Sequence, residues 1–160
     1  MSARFTLGEL LKVVSGQLVT NSGTELNSDS KIMGTEHIGV GTDTRTDLSG
    51  QVFIALRGDN FDAHEFLNDA VKAGATLLVV DRDDLDFPQD IPAVRVADTL
   101  LALQALASYW RRKKNFNVIG ITGSNGKTTT KEFVYTLLSA TKKCFKSPAS
   151  FNNHWGVPLS

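Results

Sequence analysis

The residues best suited to chemistry form one string, Val118-Ile-Gly-Ile-Thr-Gly-Ser-Asn-Gly-Lys-Thr-Thr-Thr130, in which an apolar run empties into a glycine-rich turn and then a lysine followed by hydroxyls. That order suits phosphate binding. Val118 to Ile121 read as a buried strand, and Lys127 to Ala140 read as a helix whose first turn faces the glycine turn. A helix start carries unpaired N–H groups and the positive end of the dipole, so an anion docks there. The predicted nucleotide-binding residues are Gly123, Ser124, Asn125, Gly126, Lys127, Thr128 and Thr129. Lys127 is the candidate catalytic residue, its ammonium reaching the β/γ oxygens of a triphosphate, and Thr128 is the candidate Mg²⁺ ligand. The general P-loop pattern wants a glycine where Ile121 stands; here the glycines fall at 120, 123 and 126.

The elements that must position this string are those of an α/β protein. Thr6 to Val14 has helical spacing behind a Thr cap, with Glu9 completing a capping box, and Ser15-Gly16 ends it. Gln17 to Thr20 predicts a short strand, and the polar stretch 21–36 a surface loop, poorly ordered at its tip. Alternation resumes at Ile38, and Thr42-Asp-Thr-Arg45 then presents four polar side chains before the strand Val52 to Leu56. That turn reads equally as a ligand edge or as a β-turn in which Asp43 and Thr44 bond their own backbone. Arg57 to His64 reads as a second polar loop leading into a helix over Ala63 to Lys72, and spacing alone favours capping or packing over catalysis for His64. Leu77 to Val80 is a continuous apolar run of the kind buried on both faces, and the acidic cluster Asp81 to Asp86 reads as a solvated turn without metal-ligand spacing. A strand over Ala93 to Ala97 precedes a helix from Thr99 to about Lys113, capped by Asp98; cations at 111–114 suit its C-terminal dipole better than they suit nucleic acid. Asn115-Phe116-Asn117 marks a boundary between an α/β domain over 1–115 and a P-loop parallel-sheet domain beginning at 116. Lys143 to Lys146 predicts that domain's next strand, with Cys144 as a core thiol, and the polar loop from Ser147 to Pro158 offers the adjacent amides Asn152 and Asn153 to a polar ligand. A phosphate-binding β–α start normally continues into several more strands, so the chain is expected to be the front part of a longer protein.

Composition narrows the class. Seventeen basic side chains balance seventeen acidic ones in 160 residues, which removes any electrostatic case for nucleic acid or an anionic membrane. One cysteine excludes an internal disulfide, and no apolar run reaches the length of a membrane span; the cytoplasm is the default address.

The motifs together resemble the Mur ligases of peptidoglycan synthesis. The loop from Gly120 to Thr128 matches that family's Gly-x-Thr-Gly-[Ser/Thr]-Asn-Gly-Lys-[Ser/Thr] string, and three further pieces carry the likeness: Thr42-Asp-Thr-Arg45 with Gly50 to Gly58, Phe61-Asp-Ala-His-Glu-Phe66 with Ala73-Gly-Ala75, and Phe151-Asn-Asn-His-Trp-Gly-Val-Pro158. The Asn-Asn-x-x-Gly-Val-Pro element favours the branch that joins D-alanyl-D-alanine to UDP-N-acetylmuramoyl-tripeptide over its MurE neighbour; His154-Trp155 departs from the acidic and aliphatic residues expected there. The resemblance implies a small UDP-sugar-binding α/β domain followed by the start of an ATPase domain, a monomer, with ATP and Mg²⁺ as cofactors and an acyl phosphate as intermediate. It implies that Thr44 and Arg45 face the uridine, that Asp62 and His64 support that pocket, and that Asn152 and Asn153 meet the UDP-sugar. The chain alone is then expected not to turn over. The alternatives are a MurE-type ligase and a non-catalytic module that holds a UDP-sugar.

Overall fold

A computed structural model describes residues 3–19, 33–83, 91–148 and 153–160. The chain divides into two compact units, Met1–Trp110 and Arg111–Ser160. In the first, β1 (Arg4–Thr6) runs directly into α1 (Leu7–Val14). The predicted capping box forms: Thr6 Oγ1 accepts from the Glu9 amide and Glu9 Oε2 accepts from the Thr6 amide, both at 3.1 Å. Glu9 Oε1 accepts from the Tyr109 hydroxyl at 2.9 Å, so one carboxylate both starts α1 and ties it to the last helix of the unit. Ser15 closes α1 in the left-handed conformation.

The remaining elements of this unit are β2 (Gln17–Val19), β3 (Glu36–Ile38), β4 (Val40–Gly41), β5 (Val52–Ile54), β6 (Arg57–Gly58), β7 (Phe61–Asp62), a 3₁₀ turn over Ala63–Phe66, α2 (Leu67–Lys72), β8 (Leu77–Val80) and β9 (Ala93–Arg95). A five-stranded sheet runs in the order β2-β9-β8-β5-β4. Strands β4, β5, β8 and β9 are mutually parallel, and β2 closes one edge antiparallel to β9. All four residues of β8 are buried, as an unbroken apolar run at the centre of a parallel sheet requires. Separately, β1 pairs antiparallel with β3. The helix α3 (Thr99–Lys114) buries Thr99, Ala102, Leu103 and Leu106. The Asp98 carboxylate accepts from the Leu101 amide at its start, and Phe5 packs its ring against Tyr109 and Trp110.

Several expectations change. The stretch 57–64 is a β-hairpin, β6–β7, and not an open loop. The helix expected from Ala63 begins as a 3₁₀ turn before becoming α-helical at Leu67. Residues 20–32 lie outside the described residues; of the loop expected over 21–36, the described end already enters β3 at Glu36. The second unit holds α4 (Lys127–Ser139), as expected, but neither Val118–Ile121 nor Lys143–Lys146 forms a strand. Val118 is 66% exposed and Phe145 74%. The reason is pairing: a strand needs a ladder partner and covered faces, and no strand lies in this unit among the described residues. Cys144 is accordingly half-buried and not part of a core. Among the described residues no helix is long and apolar enough to cross a membrane.

Candidate functional sites

In the second unit the glycine-rich turn curls onto the start of α4. Gly126 is the N-cap residue at φ +77°, a left-handed conformation that costs a side-chain-bearing residue about 1–2 kcal/mol. Gly123 sits at φ +151°, and an added Cβ would meet only the Asn125 carbonyl oxygen, at 3.5 Å. An added Cβ at Gly126 would meet nothing within 4 Å. The Thr130 amide bonds the Gly126 carbonyl, and among the described residues no backbone bond engages the amides of 122–129. The Lys127 ammonium folds back over the loop, donating to the carbonyls of Gly123 at 2.5 Å and Ser124 at 3.3 Å. Ser124, Asn125, Thr128 and Thr129 are exposed. Free amides at a helix start, a positive side chain lying over them and an exposed hydroxyl on the first turn form a donor set that fits a polyphosphate with Mg²⁺.

Beyond α4's first turn, Lys131 donates to the Ser147 carbonyl and Lys146 pairs with Glu132, so the segment following the helix is tied back against it. Lys146 holds the Glu132 carboxyl below its usual range. Asn152 lies outside the described residues. The Asn153 side-chain oxygen accepts from the amides of Trp155 and Gly156, at 3.2 and 2.7 Å, which is an Asx-type turn.

In the first unit the carboxyl ends of the four parallel strands collect the other predicted residues. The turn after β4 holds Thr44 and Arg45, the hairpin after β5 holds Arg57 and Asp62, Asp81 directly follows β8, and β9 leads to Thr99. This is the edge at which open α/β sheets bind ligands. The bonds seen in the 42–45 turn are those of the β-turn reading. Asp43 accepts from the Arg45 and Thr46 backbone or side chains as a β-turn would, and Arg45 also grips the same carboxylate through Nε at 2.8 Å and Nη2 at 2.7 Å. That side-chain bond, first among its causes, lowers the Asp43 carboxyl to about 2. Half-buried Thr44 lies between them.

Asp62 and His64 are brought together. The Asp62 carboxylate caps the 3₁₀ turn by accepting from the His64 amide at 3.0 Å and from its Nδ1 at 2.6 Å. The Asp81 amide donates to His64 Nε2 at 3.2 Å, which assigns the ring proton to Nδ1. Burial works to raise the Asp62 carboxyl, but hydrogen bonds from His64 and Arg82 outweigh it and the group lies below its ordinary value. The imidazole is fully enclosed, so it braces the hairpin against the end of β8.

Sequence reasoning missed Asp81. It reads as the first residue of a solvated acidic turn, yet its side chain is 4% exposed. One oxygen, Oδ2, accepts from Arg57 Nη2 at 3.0 Å and from the Thr99 amide and hydroxyl at 3.3 Å. Its signal was position: it is the first residue past a strand buried on both faces, at the sheet's carboxyl end. Asp84 and Asp86 of the same cluster lie outside the described residues.

Residues 121–160 match the family model described as the Mur ligase middle domain. The chain is 38% identical over 158 residues to the UDP-N-acetylmuramoyl-tripeptide--D-alanyl-D-alanine ligase of Synechocystis, covering 99% of this chain and 33% of that protein. Among solved structures, MurF from Acinetobacter baumannii is similar at a TM-score of 0.80 with 34% identity, over 99% of this chain and 32% of that one. MurF ligase from Thermotoga maritima, in complex with ADP, is similar at 0.63 with 34% identity, over 75% of this chain and 27% of that one. The chain thus spans about a third of the length of the relatives it matches. Its parallel sheet, its glycine loop and this likeness along nearly its whole length agree: residues 121–160 match the Mur ligase middle domain, and the chain as a whole is similar to the front third of Mur ligases.

Proposed function

We propose that this chain supplies the nucleotide-sugar-binding domain, 1–115, and the opening of the ATP-binding domain, 116–160, of a ligase that adds D-alanyl-D-alanine to UDP-N-acetylmuramoyl-tripeptide in the cytoplasm. The observation that carries the proposal is the glycine loop at the start of α4, with the Lys127 ammonium lying over its carbonyls. The activities for which the similar ligases are named support the substrate assignment. A carboxylate is a poor acyl donor; transfer of the ATP γ-phosphoryl group to the tripeptide carboxylate gives an acyl phosphate. Attack by the D-alanyl-D-alanine amine then breaks the carbon–oxygen bond to phosphate, leaving an amide, ADP and phosphate. The loop amides of 123–129 hold phosphate oxygens, and Lys127 exchanges its carbonyl partners for them. Mg²⁺, when bound, neutralises phosphate charge, and Thr128 is the residue to hold it. On the substrate side, Thr44 and Arg45 line the uridine pocket, Asp62 and His64 brace it from behind, and Asn152 and Asn153 meet the sugar.

Titration calorimetry of the chain with MgATP tests this. Lys127→Ala is expected to weaken binding at least tenfold while leaving UDP affinity and the melting midpoint unchanged; equal MgATP affinity in the variant would remove the phosphate-site assignment. Ligation by these 160 residues alone, with UDP-N-acetylmuramoyl-tripeptide, ATP and D-alanyl-D-alanine, is expected to be undetectable, and measurable product would overturn the division of labour.

A further inference from the structure

We propose that Arg57, pinned by the buried carboxylate of Asp81, binds the diphosphate of the nucleotide-sugar; this deepens, and rests on, the UDP-binding reading of the first unit. Arg45, Arg57 and Arg82 follow the carboxyl ends of β4, β5 and β8; Arg82 donates to Asp62 at 3.1 Å, and hydrogen bonds separate the other two. Arg45 lies 87% exposed and spends Nε and Nη2 on Asp43 in its own turn. Arg57 is half-exposed and spends only Nη2, on Asp81; among the described residues its Nε and Nη1 donors have no protein partner. A guanidinium fixed at one nitrogen, with its other donors open, meets an anion with little further loss of side-chain freedom.

The second observation is the pinning group. A carboxylate enclosed at the end of a central strand costs several kcal/mol in desolvation unless it is well paired. Asp81 Oδ2 gathers Arg57 and Thr99, while Oδ1 is buried without a hydrogen-bond partner, 3.3 Å from His64 Nε2. So incompletely satisfied a charge is poorly explained by stability and well explained by holding Arg57 at the edge. In the β6–β7 register Arg57 stands opposite Asp62, so the same face of the hairpin carries both Arg57 and the Asp62–His64 brace.

The test is calorimetry of the 160-residue chain with UDP and with uridine, in a Lys127→Ala background so that the glycine loop does not contribute. Arg57→Gln is expected to weaken UDP at least tenfold and uridine less than twofold. Because Arg57→Gln leaves Asp81 unpaired, Arg57→Gln/Asp81→Asn is measured beside it and is expected to show the same selective loss with the parent's melting midpoint. Arg57 variants that keep UDP affinity, or lose UDP and uridine equally, overturn the role of Arg57 alone. A parent that binds neither ligand overturns the nucleotide-sugar reading as well.

Discussion

Two buried imidazoles show how one residue type is put to different ends. His64 has a partner at each ring nitrogen. His37 has one: Thr76 gives its hydroxyl proton to the Gln51 carbonyl and therefore accepts from His37 Nδ1 at 2.9 Å, leaving Nε2 enclosed without a partner. Burial lowers the His37 pKa from its ordinary 6.5, because a proton on Nε2 would place an uncompensated charge indoors. The unfolded chain takes up that proton as pH falls below about 6.5 while the folded chain does not, so stability is lost on acidification. Urea midpoints are expected to fall between pH 7.5 and pH 5.5, and His37→Gln is expected to flatten that slope; an unchanged slope would place its origin elsewhere. At the start of α1, Thr6→Ala removes half of the capping box and is expected to cost about 1 kcal/mol by urea denaturation.

Elements whose partners lie close by in the sequence, or whose signal is periodic, were legible in advance. The caps of α1 and α3, the buried run of β8 and the helix after the glycine loop all follow from local chemistry. The hairpin β6–β7 was not, because two-residue strands carry no alternation to read. Val118–Ile121 fails for the opposite reason: its β-rich composition is clear, but composition cannot supply the neighbouring strands. Asp81 was hidden by its acidic neighbours, since burial belongs to the sheet and not to the run. At this scale Leu78→Ala, at the centre of β8, is expected to cost the first unit about 2–5 kcal/mol, whereas Phe133→Ser on the exposed face of α4 is expected to leave the first unit's midpoint within about 0.5 kcal/mol. Gly126→Ala meets no atom within 4 Å, so any loss of MgATP affinity it produces would report the backbone conformation and not a clash.

Across the whole chain, burial is distributed unevenly. The first unit holds the buried apolar residues from Phe5 to Leu106, whereas α4 has no buried residue. Hydrogen exchange is expected to be slowest in β5 and β8 and faster by orders of magnitude in α4, and brief trypsin treatment is expected to cut first among the lysines and arginines beyond Trp110. Equal protection of α4 and β8 would contradict this division. The chain's two tryptophans fall one to each unit, Trp110 against the Phe5 ring and Trp155 in the turn closed by Asn153. Each unit therefore carries its own intrinsic fluorophore. Replacing either indole by phenylalanine leaves a single emission spectrum through which the melting of one half can be watched without interference from the other.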